Sequence, residues 1–251
     1  MTQSIKSAQP RDPSHVTVGD ADGSGRMFDG IARRYDLLNR INSLGLDAIW
    51  RRATIRALQL PSEARVLDLA TGTADLPLEI LRQAPTAQVV GLDPSRGMLA
   101  IGEQKVSRAA LDERIELVFG DAQELPYEDQ SFDGITMAFG IRNVPDRGRA
   151  LREMARVLKP GRRACILELS EPRNGLMAFF ARLHVQLFVP LVGALLSGRN
   201  EYGYLKESIE AFPRPEAFEA LMLESGLRLV ERRSFAFGAC VLYVGSPAER
   251  A

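Results

Sequence analysis

Arg65-Val66-Leu67-Asp68-Leu69-Ala70-Thr71-Gly72-Thr73-Ala74-Asp75 decides how this chain folds. Its apolar, β-branched start reads as a buried strand, its small residues make a tight turn, and Leu76 to Leu81 resume at helical spacing. A strand, a small-residue turn and a helix form the cradle for a nucleotide-like ligand in a doubly wound α/β sheet. The turn lets the ligand approach the backbone, and the helix start offers unpaired N–H groups. A second acid follows the next apolar run, Gln88-Val89-Val90-Gly91-Leu92-Asp93. A carboxylate there, about 20 residues past the turn, accepts both hydroxyls of a ribose. The turn holds Gly72 in place of a G-x-G-x-x-G, and Asp68 would repel a pyrophosphate. An acid at that position suits a ligand with positive charge.

The pattern resembles the first motif of class I S-adenosylmethionine methyltransferases, whose cofactor carries an amino group and a sulfonium but no phosphate. The plain alternative is an ordinary βα turn in a sheet protein. The chain has 251 residues, enough for one generous core or a core with a small cap. Lys and Arg number 32, as do Asp and Glu, so the formal charge is zero and nothing favours nucleic acid as the main partner. Arg33-Arg34, Arg51-Arg52 and Arg232-Arg233 read as solvated clusters. Cys165 and Cys240 lie in apolar, strand-like runs, where buried free thiols fit better than a disulfide, and the chain reads as cytoplasmic. Residues 1–25 lack the apolar core of a secretory signal.

Residues 1–25 read as a disordered tail, His15 included. Met27 to Ile41 and Asp47 to Leu58 have helical periodicity and are expected to cap the ligand end of the sheet. Pro94-Ser95 starts a helix to about Ala110, Ile115 to Phe119 is a third strand, and Gly120-Asp121-Ala122 follows it. Residues just past a parallel strand face the ligand crevice, so Asp121 and Ala122 are expected to flank the adenine. Phe132 to Ala138 is a fourth strand, leading into Phe139-Gly140-Ile141-Arg142-Asn143-Val144. A helix from Arg147 to Leu158 is expected to stop at Lys159-Pro160-Gly161, with a fifth strand from Ala164 to Leu169. Leu176 to Leu196 is strongly apolar but interrupted by Arg182, His184, Gln186 and Pro190, short of the ~20 apolar residues a membrane span wants. It reads as one or two helices over an apolar pocket. His184, within it, reads as structural rather than as a base. A helix from Pro215 to Ser225 and two strands, Arg228 to Phe235 and Ala239 to Gly245, complete the chain.

A narrower resemblance rests on several of these stretches. Tyr35-Asp36-Leu37-Leu38-Asn39 with Ser43 and Trp50-Arg51 resembles the first signature of the ubiquinone and menaquinone ring C-methyltransferases. Phe139 to Val144 is similar to that family's substrate-side motif. Arg156-Val157-Leu158-Lys159-Pro160-Gly161 with Glu168 and Ser170 is similar to its second signature, and Tyr204 to Pro213 to a later block. The resemblance implies a class I methyltransferase (Rossmann-like) α/β fold. Its seven-stranded, mostly parallel sheet would carry helices on both faces, a helical cap at 26–60 and a helical insertion at 172–207 after the fifth strand. One domain would span 26–251. The implied activity is methylation of a ring carbon of a polyprenyl hydroquinone such as demethylmenaquinol, or its benzoquinol counterpart. The implied cofactor contacts are Thr73, Asp93, Asp121 and Ala122, with Asp68, Gly72 and Ala138 beside them. Several positions depart from the family pattern: Asp47 and Tyr243 where histidines are frequent, Thr71, Ala74 and Arg162 where glycines are, and Ala138 where a serine contacts the cofactor.

A sulfonium donor needs no activation, so the protein must align it and make the ring carbon nucleophilic. Arg142 is the candidate for holding a developing oxyanion, Asn143 and Tyr35 for orienting the ring oxygens, and Asp36 for taking the proton. Arg142 pairing with an acid and Asn143 capping a turn are the plain alternatives. No metal and no nucleic acid are expected. Brief contact with the inner membrane face and a homodimer remain open. So do a methyltransferase for another small aromatic or lipid acceptor, an NAD-dependent oxidoreductase, which the missing glycine motif argues against, and a non-catalytic scaffold.

Overall fold

The computed structural model describes Arg40, Ser43, residues 45–170 and residues 208–248. The expectations for the tail at 1–25, for Tyr35 and Asp36, and for the insertion at 172–207 with His184 fall outside these residues.

The turn at Ala70–Ala74 sits at the centre of a seven-stranded sheet of order β3-β2-β1-β4-β5-β7-β6. The strands are β1 (Arg65–Leu69), β2 (Gln88–Asp93), β3 (Ile115–Phe119), β4 (Phe132–Ala138), β5 (Leu158–Leu169), β6 (Leu227–Phe235) and β7 (Cys240–Pro247). β1 runs parallel to both neighbours, with Leu67 beside Val90 on β2 and Ile135 on β4. After Arg65 every β1 residue is buried, as a parallel strand covered on both faces requires. β7 alone runs against its neighbours, between β5 and β6. The order reverses between β1 and β4, and the crevice opens past the C-terminal ends of these strands.

Helices α1 (Asp47–Leu58), α2 (Asp75–Gln83) and α3 (Arg96–Arg108) cover one face, and α4 (Arg147–Val157) and α5 (Pro215–Glu224) cover the other. Each layer has its own core. Trp50, Ile55, Leu58 and Ile80 pack on one side, and Leu151, Met154, Phe218 and Met222 on the other. Ser95 caps α3 by accepting from the Met98 N–H at 3.1 Å, and Asp146 caps α4 through the Arg149 N–H at 2.8 Å.

Two elements carry detail beyond their sequence reading. α1 lies against the sheet: its stripe Trp50–Thr54–Ile55–Leu58 is buried against β4 and β5, while Ile49 on the same helix is 57% exposed. β5 begins at Leu158, directly after α4, instead of at Ala164. Leu158 pairs with Phe132 and Arg163 with Gly134, so the residues between them bulge out of the ladder. Pro160 has no N–H to give a ladder, and Gly161 takes a left-handed φ of 72° at that bulge.

Candidate active site

The turn after β1 closes on β2 through the Thr71 N–H, which donates to the Leu92 carbonyl at 3.1 Å. Ala70, Gly72 and Ala74 all have positive φ, at 50°, 58° and 64°. Across the crevice Phe139 does too, at 59°. Only glycine takes this region without steric cost, so three non-glycine residues are held under strain around the crevice. Gly140 lets the two loops meet, because a Cβ there would collide with the Ala70 methyl.

The crevice has two compartments. The larger spans about 720 Å³, part of it open to solvent, and is lined by Gly72, Asp93, Asp121, Ala122, Ala138 and Asn143 among others. The smaller, about 350 Å³, is lined by Arg51, Asp68, Thr71, Thr73 and Asp75 among others. They share Ala70, Gly72, Ala138 and Phe139. All seven expected cofactor residues therefore line one or the other of two adjoining compartments.

Each carboxylate is fixed in its own way. Asp93 accepts from the Gly72 N–H on one oxygen and the Ser95 N–H on the other, both at 2.8 Å. Asp121 accepts from the Gln123 N–H at 2.9 Å and from its side-chain amide at 2.8 Å. Asp68, 1% exposed, takes the Thr136 hydroxyl at 2.6 Å and the Thr71 hydroxyl at 2.7 Å. Burial raises its pKa to about 7, against the lowering pull of both hydroxyls and of the Arg51 charge. Asp75 pairs with Arg51 and with Lys105, both at 2.6 Å, and Lys105 also donates to Thr73 Oγ1 at 2.9 Å.

Arg142 takes a different position from the one expected of it. It does not line either compartment, and its guanidinium turns into the protein. There Nη1 donates to Glu168 Oε1 at 2.7 Å and to the Phe139 carbonyl at 2.6 Å. Glu168, fully buried, also accepts from the Arg142 backbone N–H at 3.1 Å. From the other side Arg147 donates to the Arg142 carbonyl at 2.8 Å. The Phe139–Asn143 loop is thus clamped at both ends, and Asn143 is the expected acceptor-side residue that faces the larger compartment.

Sequence reasoning missed Arg51 as a lining residue and Glu168 as the partner of Arg142. The signals were present: Arg51 lies four residues after Asp47, with Asp75 at a helix start, and Glu168 is an acid inside an apolar strand. Arg156, quoted above for resemblance alone, ties the segment after β3 to α4. It donates to the carbonyls of Tyr127 and Leu125 and pairs with Glu153 at 2.7 Å.

The walls suit a phosphate-free cationic ligand, since Asp68, Asp93 and Asp121 would all oppose a pyrophosphate. Among solved structures, a SAM dependent methyltransferase from Aquifex aeolicus superposes with a TM-score of 0.59 at 16% identity, covering 79% of this chain and 89% of that one. The [4+2]-cyclase SpnF superposes with a TM-score of 0.68 at 16% identity, covering 90% and 95%. At this identity they show the fold alone, and one of them is named for a different chemistry. A ubiquinone/menaquinone biosynthesis C-methyltransferase UbiE of Geobacter sulfurreducens is 44% identical over 220 residues, 87% of this chain and 86% of that protein. A demethylmenaquinone methyltransferase of Deinococcus radiodurans is 45% identical over 233 residues, 91% of this chain and 95% of that protein. With its residues 17–246 matched by the ubiE/COQ5 methyltransferase family, the chain belongs to that family.

Proposed function

We propose that this protein transfers a methyl group from S-adenosylmethionine to a ring carbon of a polyprenyl hydroquinone. The substrate is demethylmenaquinol or its benzoquinol counterpart in quinone biosynthesis. The observation that carries the reading is the crevice with three carboxylates, Asp68, Asp93 and Asp121, grouped over a turn with no phosphate-binding glycine motif, in a chain of this family.

When bound, the cofactor supplies a methyl group on a sulfonium that needs no activation. In this reading Asp93 holds the ribose, Asp121 and Ala122 flank the adenine, and Asp68 faces the amino group. Gly72, Thr73 and Ala138 form the floor between them. The chain's remaining task is to favour loss of the hydroquinone proton. With a phenol-like pKa near 10, that loss costs about 4 kcal/mol at pH 7. Fixed donors at the developing oxyanion supply roughly 3–4 kcal/mol. Asn143 and Tyr35 orient the ring oxygens and Asp36 takes the proton. Arg142 stays protonated, and Glu168 balances its charge. Its part is therefore to hold the Phe139–Asn143 loop in place, adding a fixed dipole instead of a bare cation. The apolar segment 176–196 receives the prenyl tail, with brief contact at the membrane surface. The described residues contain no helix long and apolar enough to cross a membrane.

The test is incubation with a methyl-labelled donor and a panel of demethylated quinols, followed by mass analysis. Label on a ring carbon of a prenylated hydroquinone is expected. Label on oxygen, or transfer only to unprenylated acceptors, would overturn the assignment. Arg142→Lys keeps the charge but loses the guanidinium whose Nη1 holds both Glu168 and the Phe139 carbonyl, so its turnover should fall. A wild-type rate in that variant would remove Arg142 from the account.

A further inference from the structure

The smaller compartment has a property that the ribose and adenine contacts do not use: it pairs a buried acid with a cation. Asp68 is at its floor, and among the described residues that line it Arg51 is the one cation. The Arg51 side chain is 12% exposed, reaching from α1 to Asp75 at the start of α2, with Asp47 at 3.7 Å on its other side. Its charge is close enough to pull down the Asp68 pKa.

We propose that Arg51 is the receptor for the carboxylate at the amino-acid end of the cofactor. The inference rests on the methyl-donor reading of the crevice and adds a binding residue to it. A ligand whose ribose is held by Asp93 in the larger compartment extends past the shared rim, at Gly72 and Ala138, into the smaller one. The end that arrives there carries an ammonium and a carboxylate. Asp68 matches the first, and the second needs a cation in a place largely shielded from water. Arg51 meets that need without stranding an acid. Asp75 has a second partner in Lys105 at 2.6 Å and keeps it when the guanidinium also engages a ligand. The guanidinium of Arg51 carries five N–H donors, more than its contacts with Asp75 and Asp47 use at once, so a ligand carboxylate can share it with them. Because α1 is packed into the sheet through Trp50 and Ile55, the fork is held in position before any ligand arrives.

The experiment compares calorimetric affinities for S-adenosylmethionine and decarboxylated S-adenosylmethionine, which lacks only the carboxylate. Wild-type protein should prefer the carboxylate-bearing ligand by about 10- to 100-fold, the span of one charged hydrogen-bonded contact. Arg51→Gln should erase most of that preference by weakening S-adenosylmethionine alone, with the decarboxylated ligand unchanged within about twofold, and Arg51→Lys should restore part of it. Asp75→Asn loosens the α1–α2 pair yet should keep the preference, which separates recognition from packing. Equal weakening of both ligands by Arg51→Gln would reduce Arg51 to a structural ion pair and overturn the proposal. So would an unchanged preference in that variant. Wild-type protein that binds neither ligand would instead overturn the methyl-donor reading, and this assignment with it.

Discussion

The two compartments share a rim and a strand–turn–helix, yet they hold charge in opposite ways. In the larger one, Asp93 and Asp121 are tied to backbone and amide N–H groups, which keep each carboxylate aimed while adding no opposing charge. In the smaller one, Asp68 is sealed between two threonine hydroxyls next to the ion pairs of Arg51, Asp75 and Lys105. In the proposed reading the first arrangement recognises ribose hydroxyls and the adenine amine by geometry. In the same reading the second recognises a doubly charged end by electrostatics, which makes recognition depend on protonation.

The strongest way to break the contrast is through the rim both compartments share. Glu168→Ala leaves the buried Arg142 guanidinium without its counter-ion, a change worth about 3–5 kcal/mol in other proteins. A fall in melting temperature on the order of 10 °C is expected, measured by calorimetry, with donor affinity lost in both compartments. Asp93→Ala removes the ribose-facing acid of the larger compartment and should weaken donor binding by roughly 10- to 100-fold, by titration calorimetry.

The smaller compartment should be the pH-sensitive one. With Asp68 raised to about 7, its carboxyl is neutral below that pH and charged above it. Affinity for the cationic donor should therefore rise about tenfold from pH 6 to pH 8. The stability contribution of Asp68 has the opposite sign. It is fully present below the ordinary carboxylate range and is lost as pH rises through about 7. Asp68→Asn should flatten the affinity profile and leave the lower value at every pH. The smallest effect concerns the turn itself. Ala74→Gly relieves a residue at φ 64° and should add about 0.5–1 kcal/mol of stability, read as a slightly higher melting temperature.

What the sequence disclosed and what it hid follow the same division. The turn, Asp93, the Ser95 cap and the strands from β1 to β4 were legible because each is specified by neighbours along the chain, through periodicity and turn chemistry. The start of β5 was not. Lys159-Pro160-Gly161 has the local signature of a stop, and only pairing of Leu158 with the distant Phe132 carries the strand across it. Arg142 was visible as a charged residue in the right loop. Its partner, Glu168, lies 26 residues away, and no local pattern announces that the guanidinium turns inward. Arg51 was hidden for the same reason, since its place in the crevice depends on α1 packing flat against the sheet.

The most direct test of the account is a crystal structure with S-adenosylhomocysteine, the demethylated product of the donor. The account predicts ribose hydroxyls on Asp93, adenine beside Asp121 and Ala122, and the amino-acid tail crossing Gly72 to Asp68 and Arg51. A ligand lying in the reverse direction, or bound outside the two compartments, would contradict it.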